Sequence, residues 1–458
     1  MKKETLLAGD GAIEVQLPDR ARSVGGGFGT KLAPLPDLQT ALRQALDRPL
    51  GLPPIGELAR PGARVTIAFD DPTVPSFGPV REVAIGLILD DLGRAGVPDD
   101  RITLLCANAL HRKWTTEELT QILGASLVRR FEGRLLCHDA EDPDNLVHLG
   151  VTPEHGWDVE VHRLVVESDL TIYVNAQCLR GFTGGWKSIC VGLSTWRSIR
   201  QHHTPDGMSM SFRNNRMHAM LDEMGAHLQA TIRRRVFKVE TILANLFDAA
   251  HVFAGGVDET RARALEILET QYPPRREAAE PADVVLYGVP GYSPYARSSR
   301  MNPLLTLVSS GLGYFGGSIE ALGKPGCSVI LATPCPDEWD EVHHPSYREV
   351  WNRVLGASRD PWEITRLFGD EFATRPDYID KYRFHHGFHP IHGIMATHPL
   401  KRLRHAARVF VAGIEKPSLA EHLGFVPTAT VEEAIARAEE LHGRDCTITC
   451  VRTTAGLG

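Results

Sequence analysis

The sequence predicts an α/β protein made of two α/β domains with an active-site cleft between them. Short apolar runs at 65–69, 102–107, 170–174, 284–287 and 327–332 alternate with segments of helical period, the pattern of parallel sheets with helical crossovers. At 458 residues the chain exceeds one ordinary hydrophobic core. The proline- and charge-rich stretch 274–281 reads as a linker, so the expected domains are 1–273 and 282–458.

Composition narrows the function classes. A hydrophobic share of 43%, a charged share of 23% and a net charge of -7 describe a soluble globular protein with no basic track for nucleic acid. Lys2 and Lys3 are followed by Glu4 and Asp10 rather than an apolar core, so neither a secretory leader nor a membrane span is expected. Eight cysteines lie scattered without a CxxC pair. A reducing, cytoplasmic setting fits, and Cys446 and Cys450 read as buried thiols on a terminal strand. Of the 20 histidines, many crowd into two stretches, 202–203 and 385–398.

In chain order, a polar strand at 12–17 and a helix at 37–48 precede the sharper pattern. The glycine run 25–29 follows no clear strand and reads as a loop. Strand 65–69 ends in Asp70-Asp71-Pro72-Thr73-Val74-Pro75. A helix follows with Val80, Val83, Ala84, Leu87, Ile88 and Leu92 at its spacing, then strand 102–107, a βαβ unit with parallel strands. The second strand ends in Asn108-Ala109-Leu110-His111-Arg112, and Thr115 with Glu118 has capping-box spacing. Asp71 and His111 thus both leave the carboxyl ends of neighbouring parallel strands, where such sheets bind ligands. Strand 170–174 then runs into Gly181-Phe182-Thr183-Gly184-Gly185-Trp186-Lys187-Ser188, with His202 and His203 beyond. Glycines there admit a ligand against the backbone, and a lysine can contact phosphate or bond covalently. By itself the loop reads as a tight turn ending in a solvated lysine, because it matches neither common nucleotide fingerprint. Residues 212–250 read as mostly helical, 253–256 as a turn, and 258–270 as a helix. The second domain is expected to hold helices at 301–310, 345–355, 362–368 and 430–441 and strands at 409–412 and 446–451.

Together, Asp71-Pro-Thr-Val-Pro75, Ala109-Leu-His111-Arg112, Gly181-Phe-Thr-Gly-Gly-Trp-Lys187-Ser188 and His203 resemble, in order and spacing, the nickel-pincer nucleotide lactate racemase (LarA) family. The resemblance is strong through residue 256 and weak from 290 to 400. It implies an isomerase that uses a nickel-pincer nucleotide, a nicotinate-derived mononucleotide made by accessory biosynthetic enzymes. The implied tether is Lys187, joined through a thioamide, and the implied nickel ligand is His203. Thr73, Gly184, Gly185 and Tyr295 are the implied cofactor cradle. His111 is the implied base for a 2-hydroxy acid, with Asp71 orienting it, and reversible hydride transfer through a 2-keto acid is the implied reaction. Soft sulfur donors and neutral imidazole suit nickel.

Three departures set this chain apart. Gln177 stands where the family has a second histidine base, and an amide cannot take and return a proton. Gln177 is therefore expected to contact substrate. Val74 replaces a substrate-binding arginine. The family's Gln and Lys in the second domain align near Arg300 and Pro303. Arg297 and Arg300 are the candidates for holding a carboxylate, the alternative being solvated surface arginines. His386 and His389, in the histidine-rich run, are the candidates for the missing base, the alternative being a capped or solvated loop. The expected function is a racemase or epimerase of 2-hydroxy acids other than lactate. The alternative is a non-catalytic metabolite-binding relative.

Overall fold

The computed structural model describes residues 1–25, 32–178, 183–207, 215–271 and 280–452. Its strands are β1 (Lys2–Ala8), β2 (Gly11–Leu17), β3 (Arg22–Gly25), β4 (Val65–Asp70), β5 (Ile102–Ala107), β6 (Leu135–Cys137), β7 (Leu146–Val151), β8 (Asp158–His162), β9 (Leu170–Asn175), β10 (Phe237–Leu243), β11 (Ala249–Gly256), β12 (Ala282–Gly288), β13 (Gly323–Ala332), β14 (Ala406–Ala412), β15 (Val426–Thr428) and β16 (Ile448–Arg452). No helix among the described residues is long and apolar enough to cross a membrane.

Two compact units result, each an α/β structure, but they do not divide at the expected linker. The larger comprises residues from 32 to 271 together with 379–389, and the smaller takes 1–25, 280–378 and 390–452. The contiguous split at 274–281 is corrected in two places. β3 is an edge strand of the smaller unit's sheet, beside β16. The histidine-rich run is cut at 389/390, its first half packing in the larger unit. Most of the linker, 274–279, and the loop residues Gly181 and Phe182 lie outside the described residues, as does the glycine run from 26 onward.

The larger unit is organised by a six-stranded sheet in the order β11-β10-β9-β4-β5-β6, parallel except for β11. β4 and β9 are buried along their whole length, which is why their sequences run apolar instead of alternating. Helix Val80–Arg94 crosses from β4 to β5, burying Ala84, Ile88 and Leu92 with Ile67, Phe69, Leu104 and Ile172. Each such side chain contributes roughly 1.5–3 kcal/mol on leaving water. Helix Thr116–Arg130 opens with the anticipated capping box between Thr115 and Glu118.

The stretch 212–250 is not mostly helical. Helix Arg216–Ile232 is followed by β10 and β11, and residues 253–256 end β11 rather than forming a turn. β10, Phe-Lys-Val-Glu-Thr-Ile-Leu, hides its identity because Lys238 and Glu240 are charged yet buried, where a strand interior normally carries apolar residues.

The smaller unit has the parallel sheet β15-β14-β13-β12-β16-β3. Helix Val431–His442 lays Val431, Ala434, Ile435 and Ala438 against it, while Leu441, the end of the expected stripe, is exposed. The ribbon β1–β2 adds Leu6, Val15 and Leu17 to this core. Cys446 and Cys450 are buried thiols, as anticipated.

Helix Arg216–Ile232 passes Trp186 at Gly225, where an added Cβ would come within 2.0 Å of the indole. Gly225→Ala is therefore expected to destabilise the fold by about 1–3 kcal/mol in urea unfolding. A change below about 0.5 kcal/mol, the range of ordinary surface substitutions, would mean the helix does not fix Trp186.

Candidate active site

Three loops of the larger unit leave the carboxyl ends of β9, β4 and β5, which are neighbours in the sheet. That adjacency brings Asp71, Thr73 and His111 together. The Asp71 carboxylate, 2% exposed, accepts from His111 Nδ1 (3.0 Å), Thr73 Oγ1 (2.6 Å) and Trp114 Nε1 (3.1 Å). Thr73 Oγ1 also lies 3.2 Å from His111 Nδ1. Burial alone would raise the Asp71 pKa, but the His111 charge and these three donors outweigh it and hold the group below its ordinary value. An ionised carboxylate only accepts, so Nδ1 of His111 carries a proton, and in the neutral ring the lone pair is on Nε2.

Side chains overlooked in the sequence hold this arrangement. Arg81, fully buried at the start of helix Val80–Arg94, donates to the carbonyls of Asp70, Asp71, Val74 and Ser76 and so cinches the Asp71 loop. The Asp70 carboxylate accepts from Tyr173 Oη (2.8 Å) and the Ala176 amide (2.7 Å), tying β4 to the end of β9. Burial pushes Asp70 up to about 6. Arg112 lies 4.0 Å over the Trp114 ring and pairs with Glu118, the capping-box residue. A buried arginine among apolar positions gives no pattern that separates it from a solvated one.

The first half of the histidine-rich run packs directly behind His111. The His389 amide donates to the Leu110 carbonyl (3.0 Å), Tyr382 Oη donates to the Ala109 carbonyl (3.1 Å), and the Phe388 ring lies 5.6 Å from His111. The expectation that His386 or His389 arrives from the second domain is corrected, since both belong to the larger unit. His389 is fully buried with Nε2 3.0 Å from Glu141, and the Nδ1 of the exposed His386 is 2.9 Å from the Lys113 carbonyl. This segment buttresses the His111 loop.

The glycine loop is held from beneath by charges on β10 and helix Val257–Gln271. Lys238 Nζ donates to the Gly185 carbonyl (2.7 Å) and Ser188 Oγ (2.9 Å) and pairs with Glu240 (2.9 Å), which accepts the Gly185 amide. Arg261 donates to the Thr183 carbonyl (2.8 Å), and Trp186 Nε1 donates to Asp258 (2.7 Å). Gly184 has φ +86°, and a Cβ there would come 2.4 Å from Glu240 Oε1. Only glycine fits. A short helix, Lys187–Cys190, then leads to Gly192, whose carbonyl accepts the Ala109 amide (2.9 Å). The lysine turn and the His111 loop are thereby joined through backbone.

Lys187 is half-buried, and burial followed by the Arg261 charge lowers its amine to about 7. The Lys187 charge is in turn felt by His202, which burial pushes down to about 3. His202 and His203 face each other with Nδ1 atoms 2.7 Å apart, both buried. An amine of lowered pKa and an imidazole next to a buried nitrogen, His202 Nε2, with no hydrogen-bond partner among the described residues, fit a covalently tethered group that binds a soft metal. Gln177 is buried after β9, and its Oε1 has no hydrogen-bond partner among the described residues.

Tyr295, Arg297 and Arg300 lie in the smaller unit, after β12. Tyr295 sits edge-on to His392 at 4.5 Å, its carbonyl bonded to His344 Nε2 (2.7 Å). Arg297 follows the turn Pro294–Ala296. Arg300, its side chain 73% exposed, pairs with Glu338 at 3.0 Å.

A buried carboxylate–histidine pair at the strand ends, with a perturbed lysine on a glycine loop joined to it through backbone, defines an α/β protein equipped for proton transfer and covalent tethering. Residues 8–215 match the family described as lactate racemase N-terminal domain. Lactate racemase of Thermoanaerobacterium thermosaccharolyticum is 24% identical over 374 residues, 77% of this chain and 80% of the relative. That of Lactiplantibacillus plantarum is 31% identical over 169 residues, 36% and 38% of the two chains. The solved lactate racemase apoprotein from T. thermosaccharolyticum superposes with a TM-score of 0.69 and 20% identity, covering 98% of each chain. The chain is thus similar in sequence to lactate racemases, most clearly through residues 8–215, and shares the fold of the solved apoprotein.

Two outcomes test this geometry. Acylation of Lys187, followed by peptide mass spectrometry, is expected to be half-maximal near pH 7, because the neutral amine reacts and burial lowers its pKa to about 7. A profile rising only near the ordinary lysine value of about 10.4 would contradict it. Lys238→Met is expected to destabilise by about 3–5 kcal/mol by leaving Glu240 buried and unpaired, with the double variant Lys238→Met/Glu240→Leu recovering most of the loss. Equal losses in the two would mean that the charge pairing is unimportant.

Proposed function

We propose that the protein is a nickel-pincer-nucleotide-dependent racemase or epimerase of 2-hydroxy acids other than lactate. The observation that carries the reading is the Asp71–His111 pair joined through the Gly192 backbone to the turn that bears Lys187. The Lys187 amine is the tether, and the His203 imidazole is the nickel ligand. When bound, the nucleotide supplies a reversible hydride acceptor.

The chain's own residues handle the proton. His111 Nε2 takes the substrate hydroxyl proton as the C2 hydride leaves, and the ring becomes an imidazolium. Asp71, ionised and already bonded to Nδ1–H, compensates that charge without moving and keeps the ring oriented. Thr73 and Trp114 occupy the remaining carboxylate lone pairs, so Asp71 does not take the proton itself. His111 then returns the proton to the oxygen when hydride comes back.

With Gln177 at the second base position and His389 turned to Glu141, His111 serves both directions. The keto acid then exchanges faces by turning about its carbonyl axis, which keeps the oxygen at His111 and swaps carboxylate with side group. A side group matching carboxylate in size and polarity tolerates that swap, whereas a methyl group does not. Short 2-hydroxy diacids are therefore favoured over lactate. Val74 and Gln177 also support a second reading, a relative that binds metabolite without turnover. Nickel and adduct analysis separates the two.

Intact-mass spectrometry after co-expression with the cofactor-making enzymes is expected to show an adduct on Lys187. An unmodified chain overturns the reading. In the loaded enzyme, His111→Gln is expected to slow exchange of the substrate C2 hydrogen by about 10²–10⁴-fold, measured by deuterium wash-in across a panel of 2-hydroxy acids. An unchanged rate would remove His111 from the reaction.

A further inference from the structure

We infer that His202 is a positioning residue that fixes the tautomer of His203, so that His203 presents its Nε2 lone pair to a metal. This rests on the nickel-ligand role proposed above for His203, and it concerns a residue to which that role assigns nothing.

The argument begins with one proton. Two imidazole Nδ1 atoms face each other at 2.7 Å, with the ring planes at 61°. Two bare nitrogens at that distance repel, and so do two protonated ones. One ring must donate and the other accept. If His202 donates, the proton of neutral His203 sits on Nε2, and that nitrogen is closed to a metal. If His203 donates, its Nε2 carries the lone pair and His202 becomes the Nε2–H tautomer. Only the second arrangement yields a ligand.

The local backbone holds the rings in this relation. The His202 and His203 amides both donate to the Ile199 carbonyl, at 3.2 and 2.9 Å. The turn beyond closes so tightly that a Cβ on Gly207 would lie 2.2 Å from the His202 carbonyl oxygen. His202 itself is 0% exposed. An imidazole sealed in this way cannot swing aside to release His203.

The far nitrogen of His202 completes the picture. Nε2 is buried and has no hydrogen-bond partner among the described residues, and an unmet buried donor is normally avoided. In the inferred tautomer it is an N–H, on a ring that the Lys187 charge reaches, and a group tethered to that lysine could bring it an acceptor. His202 thus contributes twice, by accepting from His203 and by offering a donor to what Lys187 carries.

The test reads the tautomer in the cofactor-free protein. Histidine-selective ¹⁵N labelling with long-range ¹H–¹⁵N correlation spectra at about pH 8, where ordinary imidazole is neutral, distinguishes protonated from bare ring nitrogens. His203→Gln assigns the signals. Wild type is expected to show His203 protonated on Nδ1 and His202 on Nε2. His202→Phe is expected to shift His203 towards the Nε2–H form, and His202→Asn, which keeps an acceptor near the same place, to restore it. His203 carrying its proton on Nε2 in wild type overturns the inference from that spectrum alone, even if His202→Phe fails to fold. In protein co-expressed with the cofactor-making enzymes, His202→Phe is expected to keep the Lys187 adduct mass but lose nickel to a chelator about 10–100-fold faster. An unchanged loss rate counts against the inference. Absence of the adduct in wild type would overturn the cofactor reading instead, leaving the tautomer measurement to stand separately.

Discussion

A carboxylate shut away from water at the end of a strand must find its donors inside the protein, and the Asp71 site is built around that need. Its three donors come from the residue two positions on, the next loop, and an indole anchored by Arg112 and Glu118. Because all three are present, the carboxylate stays ionised despite burial. The ionised form in turn dictates which nitrogen of His111 is bare. The orientation and tautomer of His111 are therefore a consequence of how Asp71 is solvated by protein.

The glycine loop obeys the same rule with the signs doubled. Lys238 and Glu240 stand two residues apart on a buried strand and bond to each other and to the backbone of Gly185. Such pairs add little net stability, since desolvation offsets most of the attraction, but they penalise every arrangement that leaves either charge unmet. The described part of the loop, from Thr183 to Ser188, is thereby pinned from beneath. Its lysine is delivered to surroundings where desolvation and Arg261 both disfavour an ammonium. The lowered pKa of Lys187 and the buried charges beneath its turn both follow from desolvation.

The candidate site residues on loops were readable in the sequence, whereas the residues that support them were not. Asp71, His111 and Lys187 stand out because strand-end loops and glycine runs mark places where side chains meet ligands. Arg81, Trp114, Lys238, Glu240 and Arg261 have the composition of ordinary surface or core positions. Only their partners, up to 83 positions away in the case of Arg261 and Cys178, reveal them. The charged residues of β10 also concealed the strand itself. The histidine-rich run misled in the opposite direction: its abundance of imidazoles suggested a base, yet His389 and Tyr382 brace the His111 loop.

From the sequence by itself came the α/β class, the βαβ unit from β4 to β5, the capping box at Thr115 and the candidate loops, because hydrophobic period and turn chemistry act over a few neighbouring residues. Tertiary structure alone decided that β3 joins the second sheet and the β1–β2 ribbon its core, that the segment through His389 packs behind His111, and that buried charges sit under the glycine loop. Those choices depend on burying charge and backbone polarity against partners remote in the chain. No local pattern encodes that requirement, since the free energy of a buried ion pair exists only once both ions have left water together.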